Sequence, residues 1–246
     1  MAEPVSDALQ TFIDGAPLAR GPHLAFLRRA AEGVAPGSTV LDVGAGDAPF
    51  RELFPHVSYV TCDWENSTYR PDPPPDLRAP ADSIPLGDDT VDAILCTQVL
   101  EHVPQPLAVL TEFHRLLRPG GRLWMTAPLV WYLHEQPHDY YRYTPHGLRY
   151  LLERAGFSDI DIVPLSDAFS TLAQLVAELG WMIGRQPDGR DEQRSLIAQT
   201  MTQLASLIGS FSDFDAQWLL PLGNIQLHTW AVVFPTQADL TSDRKP

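Results

Sequence analysis

The sequence is short of cysteine, of basic charge and of long apolar runs, and each shortage removes a class of protein. Cys62 and Cys96 are the two cysteines in 246 residues, and they show no metal-ligand spacing to each other. That argues against a disulfide-stapled scaffold and a cysteine metal site. Two lone thiols near predicted strand ends read as small buried apolar residues. Lys and Arg number 17 against 31 Asp and Glu, a formal net charge of −14. So acidic a chain repels phosphate backbones, and no basic run offsets the repulsion, so no nucleic-acid partner is expected. No apolar stretch reaches the roughly 18 residues of a membrane span. Residues 1–14 lack the basic and apolar regions of a secretory leader. The expectation is a cytoplasmic protein with no membrane partner.

What is present is an alternation. The length and a hydrophobic share of 44% suit one large α/β domain. Apolar residues recur at helical spacing from His23 to Gly33. Before them, Gly15, Pro17, Gly21 and Pro22 predict little regular structure beyond a short first helix. Thr39 to Val43 reads as a buried strand, followed by a glycine-containing turn and a helix near Pro49 to Leu53. Further strands are predicted at 58–62, 76–79, 91–96, 122–127 and 157–163, with a sharp break at Pro119-Gly120-Gly121. Helices are predicted over 106–117 and 144–155, the second with Thr144 as cap, Pro145 in its first turn and Gly156 as its stop. Strands separated by helices imply a parallel sheet covered on both faces. Two helical stretches, 167–183 and 192–210, then follow with no strand between them, before a last strand at 227–234.

The turn Asp42-Val43-Gly44-Ala45-Gly46 closes the first strand, where α/β sheets bind ligands. Two glycines allow positive φ and close ligand approach. The third glycine of a dinucleotide fingerprint is absent, because position 49 is Pro, which disfavours an NAD-dependent oxidoreductase. Asp63 lies 21 residues beyond Asp42, at the end of the second strand, where a carboxylate can accept two ribose hydroxyls. Asp42 adds a carboxylate that suits a cationic amino-acid end better than a pyrophosphate.

Val40 to Gly46 resembles the first motif of class I S-adenosylmethionine-dependent methyltransferases. Ile84-Pro85-Leu86, Asp88 to Ile94 and Gln98-Val99-Leu100-Glu101-His102-Val103 resemble later motifs of the small-molecule branch called type 11. Leu117 to Leu123 is similar to its turn into strand five. The likeness runs in order from about 38 to 164. It implies a Rossmann-like, doubly wound, mostly parallel seven-stranded sheet, here with a helical insertion before the last strand. The whole is one domain: an N-terminal helical segment (1–37), a cofactor-binding core (38–164), a helical insertion or cap (165–220) and a final strand (225–234). The implied cofactor is S-adenosylmethionine, with S-adenosylhomocysteine as product. Asp42, Gly44, Ala45 and Gly46 would line its methionine part, Asp63 the ribose, Trp64 the adenine face, Ser83 and Ile84 the adenine edge, and Thr97 and Gln98 the sulfonium. Many members carry an Asp for the adenine amino group where this chain has Pro80, and Asp82 is the expected substitute, the alternative being backbone amides alone.

The chemistry is expected after strands four and five. His102 follows strand four as a structural or catalytic imidazole. The stretch from Trp131 to Thr144 packs His134, Glu135, His138, Asp139, Tyr140, Tyr141 and Arg142 together. Three readings compete for it: a substrate site with His134 or His138 as general base and Glu135, Tyr140, Tyr141 and Arg142 as contacts; a lid; or a metal site of His134, Glu135 and His138. Pro137 prevents a regular helix that would align the two imidazoles, so no metal is expected. The insertion, with Trp181, Phe211, Phe214 and Trp218, is a pocket roof or a homodimer interface. Asn224 and His228 flank the last strand without an assigned role. The expected activity is methyl transfer to a metabolite or natural product at oxygen or nitrogen. Carbon transfer and a non-catalytic cofactor-binding protein are the alternatives.

Overall fold

The computed structural model describes residues 4–15, 17–65, 71–185, 191–210 and 229–235. Its elements in chain order are α1 (Asp7–Asp14), α2 (Pro17–Glu32), β1 (Thr39–Val43), β2 (Ser58–Asp63), β3 (Leu77–Arg78), β4 (Val91–Thr97), α3 (Pro106–Leu116), β5 (Leu117–Pro128), α4 (Pro145–Ala155), β6 (Asp161–Pro164), α5 (Ala168–Gly184), α6 (Asp191–Gly209) and β7 (Thr229–Pro235). The strands form one sheet in the order β3-β2-β1-β4-β5-β7-β6. β7 runs antiparallel to both of its neighbours, and the other pairings are parallel.

Strand alternation builds a core on each face. Leu41 and Val43 of β1, with Ile94 and Cys96 of β4, pack under Leu110 and Phe113 of α3 and Leu148 and Leu152 of α4. Val40, Ala93 and Leu95 point the other way, against Phe26, Leu27 and Ala30 of α2. Cys62 and Cys96 are buried free thiols. The punctuation of α4 is as expected: Thr144 Oγ1 accepts the Gly147 amide at 3.0 Å, and Gly156 stops the helix at φ +100°. Among the described residues no helix is long and apolar enough to cross a membrane.

Four local expectations are corrected. The helix near 49–53 is a single 3₁₀ turn, Arg51–Leu53, because Phe50 and Phe54 on either side are drawn into the α2-facing core and Pro55 follows at once. The Pro119-Gly120-Gly121 break lies inside β5, where the pairing with β4 slips between Val91 and Ala93. Gly120 at φ +80° absorbs that bulge. Residues 17–22 are helical, with Pro22 inside α2. β6 begins at Asp161, not at Phe157, whose ring is buried in the α3/α4 core. α5 and α6 lie between β6 and β7, and Trp181, Leu196 and Leu207 on them are exposed. Phe211, Phe214, Trp218, Asn224, Leu227 and His228 lie outside the described residues.

Candidate active site

Strand order reverses between β1 and β4, so the carboxyl ends of these two strands open the crevice where such a sheet binds its ligand. Gly44 and Gly46 turn the chain there with φ of +72° and +51°. Gly44 has a second reason to be glycine. A Cβ on it would stand 2.2 Å from Cγ2 of Val99, on the turn after β4. The two halves of the crevice are therefore in direct contact at this residue. A Cβ on Gly46 would meet nothing within 4 Å, so its face is open.

The turn's amides are bonded within the protein. Gly44 and Ala45 donate to the Cys62 carbonyl at 2.8 and 3.2 Å. Gly46 donates to Asp63 Oδ2 at 2.8 Å, and the Trp64 amide donates to Asp63 Oδ1 at 2.7 Å. A pyrophosphate cradle needs free amides at a helix N-terminus. Here the amides of residues 44–46 are taken, and a 3₁₀ turn replaces the helix. Asp63, 8% exposed, keeps a second lone-pair direction on each oxygen at the rim of the crevice.

Asp42 is buried in β1, where the Tyr59 hydroxyl donates to its Oδ2 at 2.6 Å. Burial pushes its carboxyl up to about 6 against the pull of that hydrogen bond, and the Asp63 carboxylate adds to the rise. A folded-state pKa above the ordinary 3.8 means that ionised Asp42 opposes folding. Its contribution to stability is complete below about pH 4 and is lost as pH rises through 6. Asp42→Asn is therefore expected to gain about 2 kcal/mol relative to the native chain between about pH 4 and 7.5 in denaturant melts. A pH-independent difference would refute the buried charge.

The residues implied for the adenine side are placed at the ends of β2 and β3 and beside α3. The Ile84 side chain is in the α3/α4 core. Its amide donates to Glu112 Oε1 at 2.8 Å, and its carbonyl accepts from Arg115 at 3.3 Å, which clamps the segment to α3. Ser83 is exposed, with its amide on the Pro80 carbonyl. Asp82 lines a groove with Gln105, Leu107 and Thr111 at α3 and Leu151 of α4. Trp64 is exposed beside Asp63, and its ring meets His138 edge to face at 5.1 Å between centroids. That contact joins the end of β2 to the loop after β5.

Thr97 ends β4 opposite Thr126. Gln98, at φ +56°, is tied to the same residue: its amide donates to the Thr126 carbonyl and its Nε2 to Thr126 Oγ1 at 3.0 Å. A 3₁₀ turn, Leu100–His102, follows, and the loop after β5 folds over it. The amides of Tyr140 and Tyr141 donate to the Glu101 carbonyl at 2.9 and 3.2 Å. Tyr141 and Tyr143 donate their hydroxyls to the carbonyls of Pro104 and Leu100. His138 lies between Trp64 and Tyr140, its Nδ1 3.4 Å from the Tyr140 hydroxyl. Glu135 stands at φ +50°, with Oε2 3.9 Å from His102 Nε2. Burial and the Glu178 carboxylate of α5 raise the Tyr132 hydroxyl above its ordinary pKa, which places the insertion beside the loop.

Arg142 pins this loop. Its five N–H donors reach the carbonyls of Trp131, Tyr132 and Tyr141 and both oxygens of Asp139, at 2.6 to 3.2 Å. The guanidinium holds the Asp139 carboxyl well below the usual carboxylate range. Burial, and after it the neighbouring His102, holds the His134 imidazole below its ordinary pKa. Sequence reasoning missed two residues here. Asp139 has a side chain 2% exposed, and Glu101 is wholly buried, with its carboxyl pushed up by burial to about 8. The signal for Glu101 was its place between Leu100 and His102 in a turn whose flanks are apolar.

Residues 41–125 match the family described as methyltransferase domain. Over those residues the chain carries a methyltransferase domain, and its fold is that of S-adenosylmethionine-dependent methyltransferases. An uncharacterized methyltransferase of Mycobacterium bovis is 35% identical over 104 residues, 39% of this chain and 41% of the relative. The chain thus spans about two fifths of the length of the curated relatives it matches. The methyltransferase fold extends further in solved structures. The [4+2]-cyclase SpnF superposes with a TM-score of 0.57 at 16% identity, over 89% of this chain and 82% of its own. The 1,6-didemethyltoxoflavin-N1-methyltransferase of Burkholderia thailandensis, solved with that acceptor and S-adenosylhomocysteine, gives 0.51 at 16% over 97% and 94%.

Proposed function

We propose that this chain transfers the methyl group of S-adenosylmethionine to a small-molecule acceptor at oxygen or nitrogen. The observation that carries the reading is the turn after β1. Its amides are bonded internally, its Gly46 face is open, and Asp63 stands at its rim. That arrangement suits a nucleoside with an amino-acid tail and lacks what a pyrophosphate needs. Bound there, S-adenosylmethionine supplies an electrophilic methyl. The ribose hydroxyls fall to Asp63, and the Trp64 ring, met by His138, closes the crevice from the loop side and excludes water. Of His134 and His138, the His138 ring is the one that meets Trp64, and we assign it as the base that takes the acceptor's proton. The toxoflavin enzyme supports a small acceptor by likeness of fold, since it holds one together with the demethylated cofactor.

Calorimetric titration with S-adenosylhomocysteine tests the reading. Asp63→Ala is expected to weaken binding by about 100-fold, from two charge-assisted hydrogen bonds of about 1.5 kcal/mol each. Unchanged affinity in a folded Asp63→Ala variant would remove the ribose assignment. Failure of the native chain to bind would remove the proposed activity.

A further inference from the structure

Glu101 is unlike the other acids of the site. Its side chain is fully buried, and beyond its own backbone amide neither oxygen has a hydrogen-bond partner. Buried polar groups are almost always satisfied, and one left alone asks for a missing partner.

Two imidazoles face it. Glu101 Oε1 lies 3.9 Å from His102 Nε2, and ligand-capable atoms of Glu101, His102 and His134 all lie within 4.8 Å of one another. The two rings meet edge to face at 4.7 Å. Each ring is oriented from behind. His102 Nδ1 is 2.6 Å from the His138 carbonyl, so it carries the proton and Nε2 carries the lone pair. His134 Nδ1 lies 3.2 Å from the Tyr132 carbonyl and 3.3 Å from Asp139 Oδ2. Arg142 Nη2 is farther, at 3.5 Å, and has nearer acceptors of its own, so we assign the proton of this ring to Nδ1. An imidazole that donates its far N–H to a carbonyl or carboxylate, and turns its other lone pair toward a carboxylate, is arranged as a metal ligand.

We propose that Glu101, His102 and His134 bind a divalent transition metal of the zinc type. Two imidazoles and one carboxylate form a borderline donor set, suited to Zn²⁺ or Co²⁺ and poorly suited to the all-oxygen shells of Mg²⁺ and Ca²⁺. Three protein ligands leave a coordination position open to a further oxygen or nitrogen donor. Donors about 2.1 Å from zinc stand about 3.4 Å apart, so the triad closes on the ion by an inward shift of about 1 Å. The set differs from the His134, Glu135, His138 grouping suggested by loop spacing, because the His138 ring packs on Trp64. The site is independent of the methyl-transfer reading.

Zinc chloride titrated calorimetrically into the EDTA-treated, dialysed full chain tests it. One equivalent is expected to bind, with an affinity about 100-fold lower or worse in Glu101→Gln and in His134→Ala. The exposed His146→Ala is expected to match the native chain. Circular dichroism and S-adenosylhomocysteine titration of each variant report the fold separately. Absence of stoichiometric binding, or zinc affinity that survives both Glu101→Gln and His134→Ala, overturns the proposal.

Discussion

Gly44→Ala is expected to weaken S-adenosylhomocysteine binding by at least about 100-fold, and adding Val99→Ala is expected to recover most of that loss. Two costs combine at Gly44 and can be separated. The first is steric: a methyl group 2.2 Å from Val99 Cγ2 forces the turn and the β4 exit apart by about 1 Å, and displacement on that scale costs about 100-fold in a positioned site. Truncating Val99 removes the 2.2 Å clash and leaves its Cβ at 3.3 Å, so most of this cost goes. The second is conformational: φ of +72° charges any L side chain about 1–2 kcal/mol, whatever its neighbours do. The double variant is therefore expected to stay about tenfold weaker than the native chain. Single-variant binding within about threefold of native would show that the turn yields without disturbing the crevice. A double variant no better than the single would show that the backbone, not Val99, imposes glycine.

The parts of this molecule legible in the sequence are those set by local rules. β1 and β4 announce themselves as apolar runs because both of their faces are covered, and α4 is bracketed by its cap and its stop. The glycine turn was legible because positive φ leaves a compositional mark. The 3₁₀ turn at 51–53 was not, since it depends on where Phe50 and Phe54 find room in the core. The Pro119-Gly120-Gly121 bulge reads as an end from within the strand and as a continuation only beside β4. In the site, the density of polar residues between 131 and 144 was visible but their division of labour was not. Arg142 bonds to three backbone carbonyls, and carbonyls are invisible to side-chain pattern. Glu101 escaped for the opposite reason: a carboxylate in a sequence is ordinarily read as surface, and here it is buried.

The Arg142–Asp139 pair yields the largest expected loss of stability, and its two halves are unequal. Arg142→Met leaves the Asp139 carboxylate, 2% exposed, without its cation, and an uncompensated buried charge of that kind costs about 3–5 kcal/mol. For a domain of this length that is a fall in melting temperature of roughly 10 °C. Asp139→Asn removes the charge and keeps an oxygen for Arg142 and for the His134 amide at 2.9 Å, so about 1–2 kcal/mol is expected. The double variant Arg142→Met/Asp139→Asn should cost less than Arg142→Met alone, because no buried charge is left behind. Release of the loop without global unfolding has its own signature. The amides of Tyr140, Tyr141 and Tyr143, which close on Glu101 and Pro128, would exchange about 100-fold faster in Arg142→Met while the β1 and β4 amides kept their rates. Additive single and double variants, with exchange unchanged at those three amides, would mean that the loop is held by its tyrosines and not by the ion pair. Coupling between the two substitutions would place the anchor of the whole loop, and with it the orientation of His134 and His138, on one guanidinium.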